Sequence, residues 1–235
     1  LKSQQEKLII NERHEAWDNL ARKMAHEIKN PLTPIQLIID RLKNKYSSEL
    51  NKKSNDDFKE NLKIINNQIK QIEKLVNEFS DFARMPKPIF HQNDLIVLMK
   101  ENIKLLKEFD KTIKIDFHNS NKDLFFNSDK EQLSRVFFNL IKNSIESIQQ
   151  KTEKVSNFNK NITIELNDIG DHIRLTINDN GVGFKNINKN VKEILNPYFT
   201  TKKQGTGLGL SIVNKIINDH NGNIEFISKN DGAII

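Results

Sequence analysis

The feature that most constrains the fold of this chain is a seam of apolar side chains within residues 62–83, spaced alternately three and four residues apart. The seam consists of Leu62, Ile65, Ile69, Ile72, Val76, Phe79 and Ala83. Because an α-helix has about 3.6 residues per turn, this spacing places the whole seam on one helix face, which needs a partner helix. A similar apolar face over residues 3–45 predicts that partner. Two such helices bury little alone, so we expect a helical hairpin that pairs with a second copy into a four-helix bundle.

A polar segment, residues 46–57, separates the two predicted helices, and Ser54 or Asn55 would cap the second one. The first helix contains Pro31 and Pro34, each of which lacks a backbone N–H. We therefore expect a bend in the first helix at these prolines.

The chain changes character at the segment Met85-Pro-Lys-Pro88, because neither proline can continue a helix. Beyond it we predict helices near 94–109, 129–150 and 207–219, and strands near 112–117, 124–126, 162–166, 173–178 and 223–228. This order predicts an α/β sandwich with helices on one face of a sheet. The expected domain limits are 1–85 for the hairpin, 86–92 for a linker and 93–235 for the sandwich, whose last strand would be truncated.

Composition narrows the possible functions. The 235 residues contain no cysteine, which excludes disulfides, thiolate metal sites and thiol nucleophiles. The formal net charge is +6, but the lysines alternate with Asn, Ile and Asp, so we predict a solvated surface and no nucleic-acid partner. No apolar run is long enough to span a bilayer. The absence of cysteine fits a reducing cytoplasm. Because the chain starts without Met and stops within a predicted strand, we expect a piece of a longer protein whose membrane segment would lie outside it.

The first segment whose side chains could take part in a reaction is Met24-Ala-His-Glu-Ile-Lys-Asn-Pro-Leu32. A neutral imidazole nitrogen of His26 is a competent nucleophile, and the adjacent Glu27 could take up its proton. Asn30 lies four residues later, on the same helix face. Taken alone, a helical histidine is more often a surface or packing residue, and that alternative stays open.

Two carboxamides, Asn139 and Asn143, are spaced to share one face of the predicted helix 129–150. Their oxygens could bind Mg²⁺, which prefers oxygen ligands and is usually shared with substrate phosphates. An ordinary polar helix surface is an equally good explanation for this pair by itself.

Two glycine-containing segments could approach a ligand closely. In the first, Asp179-Asn-Gly-Val-Gly183 follows a strand, and its aspartate could accept a hydrogen bond from an amino group such as that of adenine, although a simple hairpin turn is also possible. The second, Gly205-Thr-Gly-Leu-Gly-Leu210, precedes a helix N-terminus, which favours phosphate. The irregular stretch between them, which ends in Pro197-Tyr-Phe-Thr-Thr-Lys-Lys203, is typical of a lid, and its lysines could neutralise a triphosphate.

In this order and spacing, the segments resemble the histidine kinases of two-component signalling over essentially the whole chain. The segment at His26 resembles their phosphoacceptor box, and residues 139–143 resemble the N box. The two glycine segments resemble the glycine boxes, and Phe199-Thr-Thr-Lys202 resembles the F box. The surroundings of His26 are most similar to nitrogen-regulation sensor kinases of the NtrY kind. The resemblance implies a dimeric helical hairpin followed by an α/β sandwich of the GHKL ATPase type.

The resemblance also implies a role for each matching residue. His26 would be the phosphoacceptor, Glu27 its general base, and Asn30 would position a water for dephosphorylating the partner. Asn143 would be the main Mg²⁺ ligand with Asn139 assisting, and Asp179 would read adenine. The remaining residues of the ATP site would be Gly181, Gly183, Phe199, Thr200, Thr201, Lys202, Gly205, Thr206, Gly207, Leu208 and Gly209.

The activity implied is ATP-dependent autophosphorylation on His26, phosphotransfer to an aspartate in a response-regulator receiver domain, and dephosphorylation of that regulator. Two alternatives remain: a GHKL ATP-driven conformational ATPase and a nucleotide-binding dimeric scaffold. In the related gyrase and Hsp90 ATPases, a water-activating glutamate stands where this chain has Asn139. That difference favours transfer to a protein histidine over hydrolysis.

Overall fold

The computed structural model describes residues 25, 27–46, 52–83, 85–155, 158–184, 191–197, 199–202, 205–229 and 231–235. The chain divides into two compact units. One unit contains the described residues up to Pro86 together with the short segment Thr201–Thr206, and the other contains Lys87–Thr200 and Gly207–Ile235.

The first unit is built on two helices, α1 over residues 27–46 and α2 over Lys52–Ala83. The helix α1 continues through Pro31 and Pro34 without interruption. Its apolar face packs on α2 in a cluster formed by Leu32, Ile39, Leu62 and Ile69, with Phe58 against it. Helical pairing of the two apolar faces is therefore confirmed.

Only some of the residues in the predicted seam on α2 are buried within one chain. Leu62, Ile69 and Val76 are buried, whereas Ile65 and Ile72 remain 45% and 40% exposed. Leu62 and Ile69, spaced seven apart, pack in the cluster with α1, whereas Ile65 and Ile72 form an apolar face toward solvent. Large apolar patches of this kind mark association surfaces.

The second unit contains three helices and two sheets. The helices are α3 (Leu95–Leu106), α4 (Lys130–Thr152) and α5 (Gly209–Asp219), with a 3₁₀ turn at Val191–Leu195. The strands are β1 (His91–Asp94), β2 (Lys114–Asn119), β3 (Phe125–Ser128), β4 (Asn161–Asp168), β5 (Ile173–Asp179), β6 (Ile227–Ser228) and β7 (Ala233–Ile234). The antiparallel pair β1 and β3 forms a small sheet, and the large sheet has the order β2-β4-β5-β7-β6. Within it, β2 and β4 are parallel and the other pairs are antiparallel.

Helix α4 forms the centre of this unit, because it packs on α3, α5 and β5. Its fully buried Ile141 and Ile148 belong to the same core as Ile162 and Ile164 of β4 and Ile177 of β5. Strand β4 shows alternate burial, as expected of a strand with one face on a helix layer. The α/β sandwich is thus confirmed, with α4 packed against β5.

Several local predictions need correction. Helix α2 already includes Ser54 and Asn55, so neither residue is its N-cap. The predicted strand at 223–228 pairs only at its last two residues, because its partner β7 offers a ladder of two positions. Strand β1 was not predicted, since His-Gln-Asn-Asp carries no β-branched or aromatic residue. It forms because it lies opposite β3, where the Asn93 side chain donates to the Ser128 carbonyl at 2.7 Å.

Within the described ranges, no helix combines the length and apolar character that a bilayer crossing requires.

Candidate active site

The centre of the candidate nucleotide site is Asp179, the last residue of β5. The carboxylate is 4% exposed, and its Oδ1 accepts hydrogen bonds from the Gly181 backbone N–H at 2.9 Å and from Ser147 Oγ at 3.4 Å. Strand β5 and helix α4 therefore hold this carboxylate in place, because Ser147 belongs to α4.

Burial raises the pKa of the Asp179 carboxyl above its ordinary value of 3.8. The hydrogen bonds from Gly181 and Ser147 and the charge of Lys151 act in the opposite direction but do not compensate for the loss of water. A buried carboxylate whose charge is incompletely stabilised is suited to accept a hydrogen bond from a donor group on a ligand.

The glycines after Asp179 are required by packing within the protein. A Cβ on Gly181 would stand 2.2 Å from Ser147 Oγ, and a Cβ on Gly183, whose φ is +64°, would stand 2.3 Å from the Gly232 carbonyl oxygen. The sequence predicted that both glycines approach a ligand. Added side chains would meet helix α4 and the hairpin before β7, and the approach of these glycines to a ligand stays a prediction.

Gly232 is a structural part of the site that sequence reasoning missed. Its φ is +101°, and an added Cβ would stand 1.8 Å from the carbonyl oxygen of Asp179. The next residue, Ala233, pairs with Asp179 in the β5–β7 ladder. The sequence does show a glycine followed by a short apolar strand, but no local pattern indicates that this glycine packs against Asp179.

Helix α4 brings the N box and the second glycine segment together. The Asn139 side chain donates from Nδ2 to the Arg135 carbonyl at 2.9 Å, and a Cβ on Gly209 would lie 3.5 Å from Asn139 Oδ1. Asn143 follows one turn later on the same helix, partly buried. The predicted shared face of these two carboxamides therefore abuts the start of α5.

The start of α5 has the properties of an anion site. Leu208 is the N-cap, and it offers no side-chain hydrogen bond to the first turn, while Gly207 has a φ of +71°. The first backbone N–H groups of α5 therefore lack a capping side chain, and the helix dipole adds positive potential there. Leu208 itself is fully buried and anchors the loop in the core.

The other predicted site residues fall in both units of the chain. Phe199 donates its backbone N–H to the Asn196 carbonyl at 3.3 Å, and Thr200 ends the same stretch of the sandwich unit. Thr201, Lys202, Gly205 and Thr206 belong to the segment grouped with the helical unit, in which the Gly205 N–H donates to the Lys202 carbonyl at 3.2 Å.

On helix α1, Glu27 and Asn30 are both exposed to solvent. His26 lies outside the described residues, as do Tyr198 and Lys203.

Comparisons with known proteins agree with this division of the chain. Residues 16–88 match the His Kinase A (phospho-acceptor) domain. Residues 128–234 match the family described as histidine kinase-, DNA gyrase B-, and HSP90-like ATPase.

The chain is 39% identical over its full length to a putative sensor histidine kinase, NtrY-like, of Rickettsia prowazekii, covering 38% of that protein. It is 35% identical over 96% of its length to the nitrogen regulation protein NtrY of Azorhizobium caulinodans, covering 28% of it. Among solved structures, the histidine kinase ThkA in complex with the response regulator protein TrrA matches all of this chain and 64% of that one, at 26% identity and a TM-score of 0.65. The chain thus spans about two fifths or less of the length of these two curated relatives. It belongs to the sensor histidine kinases and resembles those of the NtrY kind.

Proposed function

We propose that this chain is the catalytic core of a sensor histidine kinase that uses ATP to phosphorylate His26. The observation that carries the proposal is the buried Asp179 carboxylate, 4% exposed and with a raised pKa, at the end of β5. A donor amino group, such as that of adenine, would stabilise its charge in the nucleotide-bound state.

The phosphate end of ATP would lie at the start of α5. Gly207 and Gly209 keep the backbone free of side chains there, and the uncapped N–H groups of the first turn suit phosphate oxygens. Phe199, Thr200, Thr201, Lys202, Gly205 and Thr206 would contribute to the cover over the nucleotide.

The residues present fit a magnesium ion shared with the phosphates. Among the described residues there is no cluster of His, Cys, Asp or Glu that could hold a metal without a nucleotide. The carboxamide oxygen of Asn139 is turned toward Gly209, and Asn143 is one turn away. These two side chains would supply oxygen ligands, and the ion would neutralise charge on the phosphates.

In the transfer step, a neutral imidazole nitrogen of His26 attacks the γ-phosphorus. The bond between that phosphorus and the β–γ bridging oxygen breaks, ADP leaves with the bond electrons, and Glu27 takes up the imidazole proton. Glu27 is exposed on α1, where it can exchange that proton with water. The chemistry needs positioning more than covalent help from the ATP-binding domain.

We further propose residues 1–85 as the dimerisation and phosphotransfer hairpin, 86–92 as linker and 93–235 as the ATP-binding domain. The exposed Ile65 and Ile72 on α2 support a homodimer, because they continue the buried seam. The chain would act in the cytoplasm, joined in the full protein to a membrane segment.

The phosphoryl group would pass to an aspartate of a response-regulator receiver domain, and Asn30 would position a water for the reverse dephosphorylation. The relative ThkA, which was solved with a response regulator protein, supports this partner class.

Labelling with γ-labelled ATP and Mg²⁺ tests the proposal. We expect label that survives alkali, is lost in acid and is absent from His26→Gln. Label that persists in His26→Gln, or no label on the wild-type protein, would sink the assignment.

A further inference from the structure

The residue that ends helix α5, His220, contacts three separate parts of the ATP-binding unit. Its Nδ1 lies 2.8 Å from the carbonyl oxygen of Ile216, and its Nε2 lies 3.1 Å from the backbone nitrogen of Asp129. Its ring also meets the ring of Phe90 edge to face, at 5.1 Å between centroids. One imidazole therefore joins the end of α5, the start of α4 and the chain that enters the domain.

These contacts define the protonation state of the ring. A carbonyl oxygen can only accept, so Nδ1 carries a hydrogen and donates to Ile216. A backbone N–H can only donate, so Nε2 is the acceptor for Asp129. His220 is thus neutral, in the Nδ1–H tautomer, whenever both hydrogen bonds exist.

Asp129 also binds the segment that leads into the ATP-binding unit. Its Oδ1 accepts from the Gln132 N–H at 3.0 Å and caps α4, while its Oδ2 accepts from the Ile89 N–H at 2.8 Å. Immediately afterwards, β1 pairs with β3 from His91 opposite Ser128. The segment around Ile89 and Phe90 is thereby fastened to the N-terminus of the helix that carries the N box.

We propose that His220 is a positioning residue that fixes the entry of the linker to the ATP-binding domain. It does so as a neutral acceptor for Asp129 and as a ring contact for Phe90. The side chain lies far along α5 from Gly209, at the opposite end of that helix, so its role is in how the linker is held and not in nucleotide contact. The effect on transfer rests on the proposed kinase function, whereas the effect on the linker does not.

Two substitutions separate the acceptor role from simple packing. His220→Phe keeps a ring against Phe90 but leaves the Asp129 N–H without its acceptor. His220→Gln restores an acceptor oxygen at about the reach of Nε2. His172→Phe is the matched control, because His172 lies in the exposed turn between β4 and β5 and pairs only locally, with Asp171.

Hydrogen exchange of the full chain measures how firmly the Ile89 amide is held, and nitrogen NMR measures the tautomer of the His220 ring. We expect the Ile89 amide to exchange roughly fivefold faster or more in His220→Phe, since an unsatisfied donor loosens the Asp129 cap. Exchange should return toward the wild-type rate in His220→Gln and stay unchanged in His172→Phe. The wild-type ring should show the neutral Nδ1–H tautomer at pH 8. Unchanged Ile89 exchange in His220→Phe, no recovery in His220→Gln, or an Nε2–H tautomer would each overturn the proposal.

The consequence for transfer is measured with the same variants. We expect His220→Phe to autophosphorylate about tenfold more slowly with nucleotide affinity within about twofold of wild type, because misplaced reactants slow transfer without weakening binding. A parallel loss of nucleotide affinity would assign His220 a merely structural role. If the wild-type protein forms no phosphohistidine, the proposed kinase function fails, and the exchange and tautomer measurements still decide the linker role.

Discussion

Gly209 and Asn139 come from different motifs and lie against each other: a Cβ added to Gly209 would stand 3.5 Å from Asn139 Oδ1. This is an ordinary van der Waals distance, and Gly209 does not have a positive φ. The protein fold therefore tolerates a side chain at this position. This glycine is consistent with our proposal that a ligand approaches the backbone at the start of α5.

Gly209→Ala should consequently separate stability from nucleotide binding. Alanine at the first turn of α5 should stabilise the ligand-free protein by about 0.5–1 kcal/mol, because glycine loses more backbone entropy in a helix. ATP affinity should fall at least about tenfold, since the methyl group occupies space next to the phosphates. Thermal unfolding and calorimetric titration measure the two effects. Unchanged ATP affinity would show that the phosphates bind elsewhere.

Asp179→Asn should weaken ATP binding and stabilise the ligand-free protein. Asparagine places an N–H₂ group where the nucleotide donor needs an acceptor, which costs about 1.5–3 kcal/mol, or roughly tenfold or more in affinity. The folded-state pKa of Asp179 is raised above 3.8, so the folded protein holds this proton more tightly than the unfolded chain. Stability from this group therefore falls as pH rises through the raised pKa.

Chemical unfolding at pH 4 and pH 8 tests whether the contribution of Asp179 to the free energy of unfolding falls as the pH rises. The free energy of unfolding of Asp179→Asn should exceed that of the wild type by more at pH 8 than at pH 4. An asparagine variant that is less stable than the wild type at pH 8 would contradict the unfavourable burial of this charge. Asp219→Asn, which makes the same substitution on the last turn of α5, serves as the control.

Gly232→Ala should destabilise the ATP-binding unit strongly. Its φ of +101° disfavours any side chain, and the Cβ would collide with the Asp179 carbonyl at 1.8 Å. We expect a loss of about 3 kcal/mol or more in the free energy of unfolding.

Gly170→Ala is the matched control for that substitution. Gly170 has a similar φ of +95°, but nothing lies within 4 Å of an added Cβ. Its loss should be only about 1 kcal/mol, from backbone strain alone. Equal losses in the two variants would show that Gly232 does not pack on Asp179.

The sequence predicted the fold where local patterns were strong. The seam on α2 and the strands β4 and β5 have clear apolar periods, and the structure contains all three. Strand β1 escaped prediction because His91–Asp94 pairs through backbone register with β3, which no local pattern encodes.

The site was predicted less completely than the fold. Asp179 and Asn139 could be selected from their residue types and motif spacing. The contacts that hold Asp179, from Ser147 and from the hairpin at Gly232, depend on tertiary packing between elements distant in sequence. For the same reason, no local pattern indicates that His220 contacts Asp129.

In the function that we propose, the γ-phosphoryl group of ATP goes to His26 and not to water. A single-turnover experiment with ATP and Mg²⁺ measures ATP lost, phosphohistidine formed and free phosphate released, in the wild type and in His26→Gln. We expect early ATP loss to equal phosphohistidine formation in the wild type and to stop in His26→Gln while ATP still binds. ATP loss that continues in His26→Gln with release of free phosphate would contradict it and identify an ATPase.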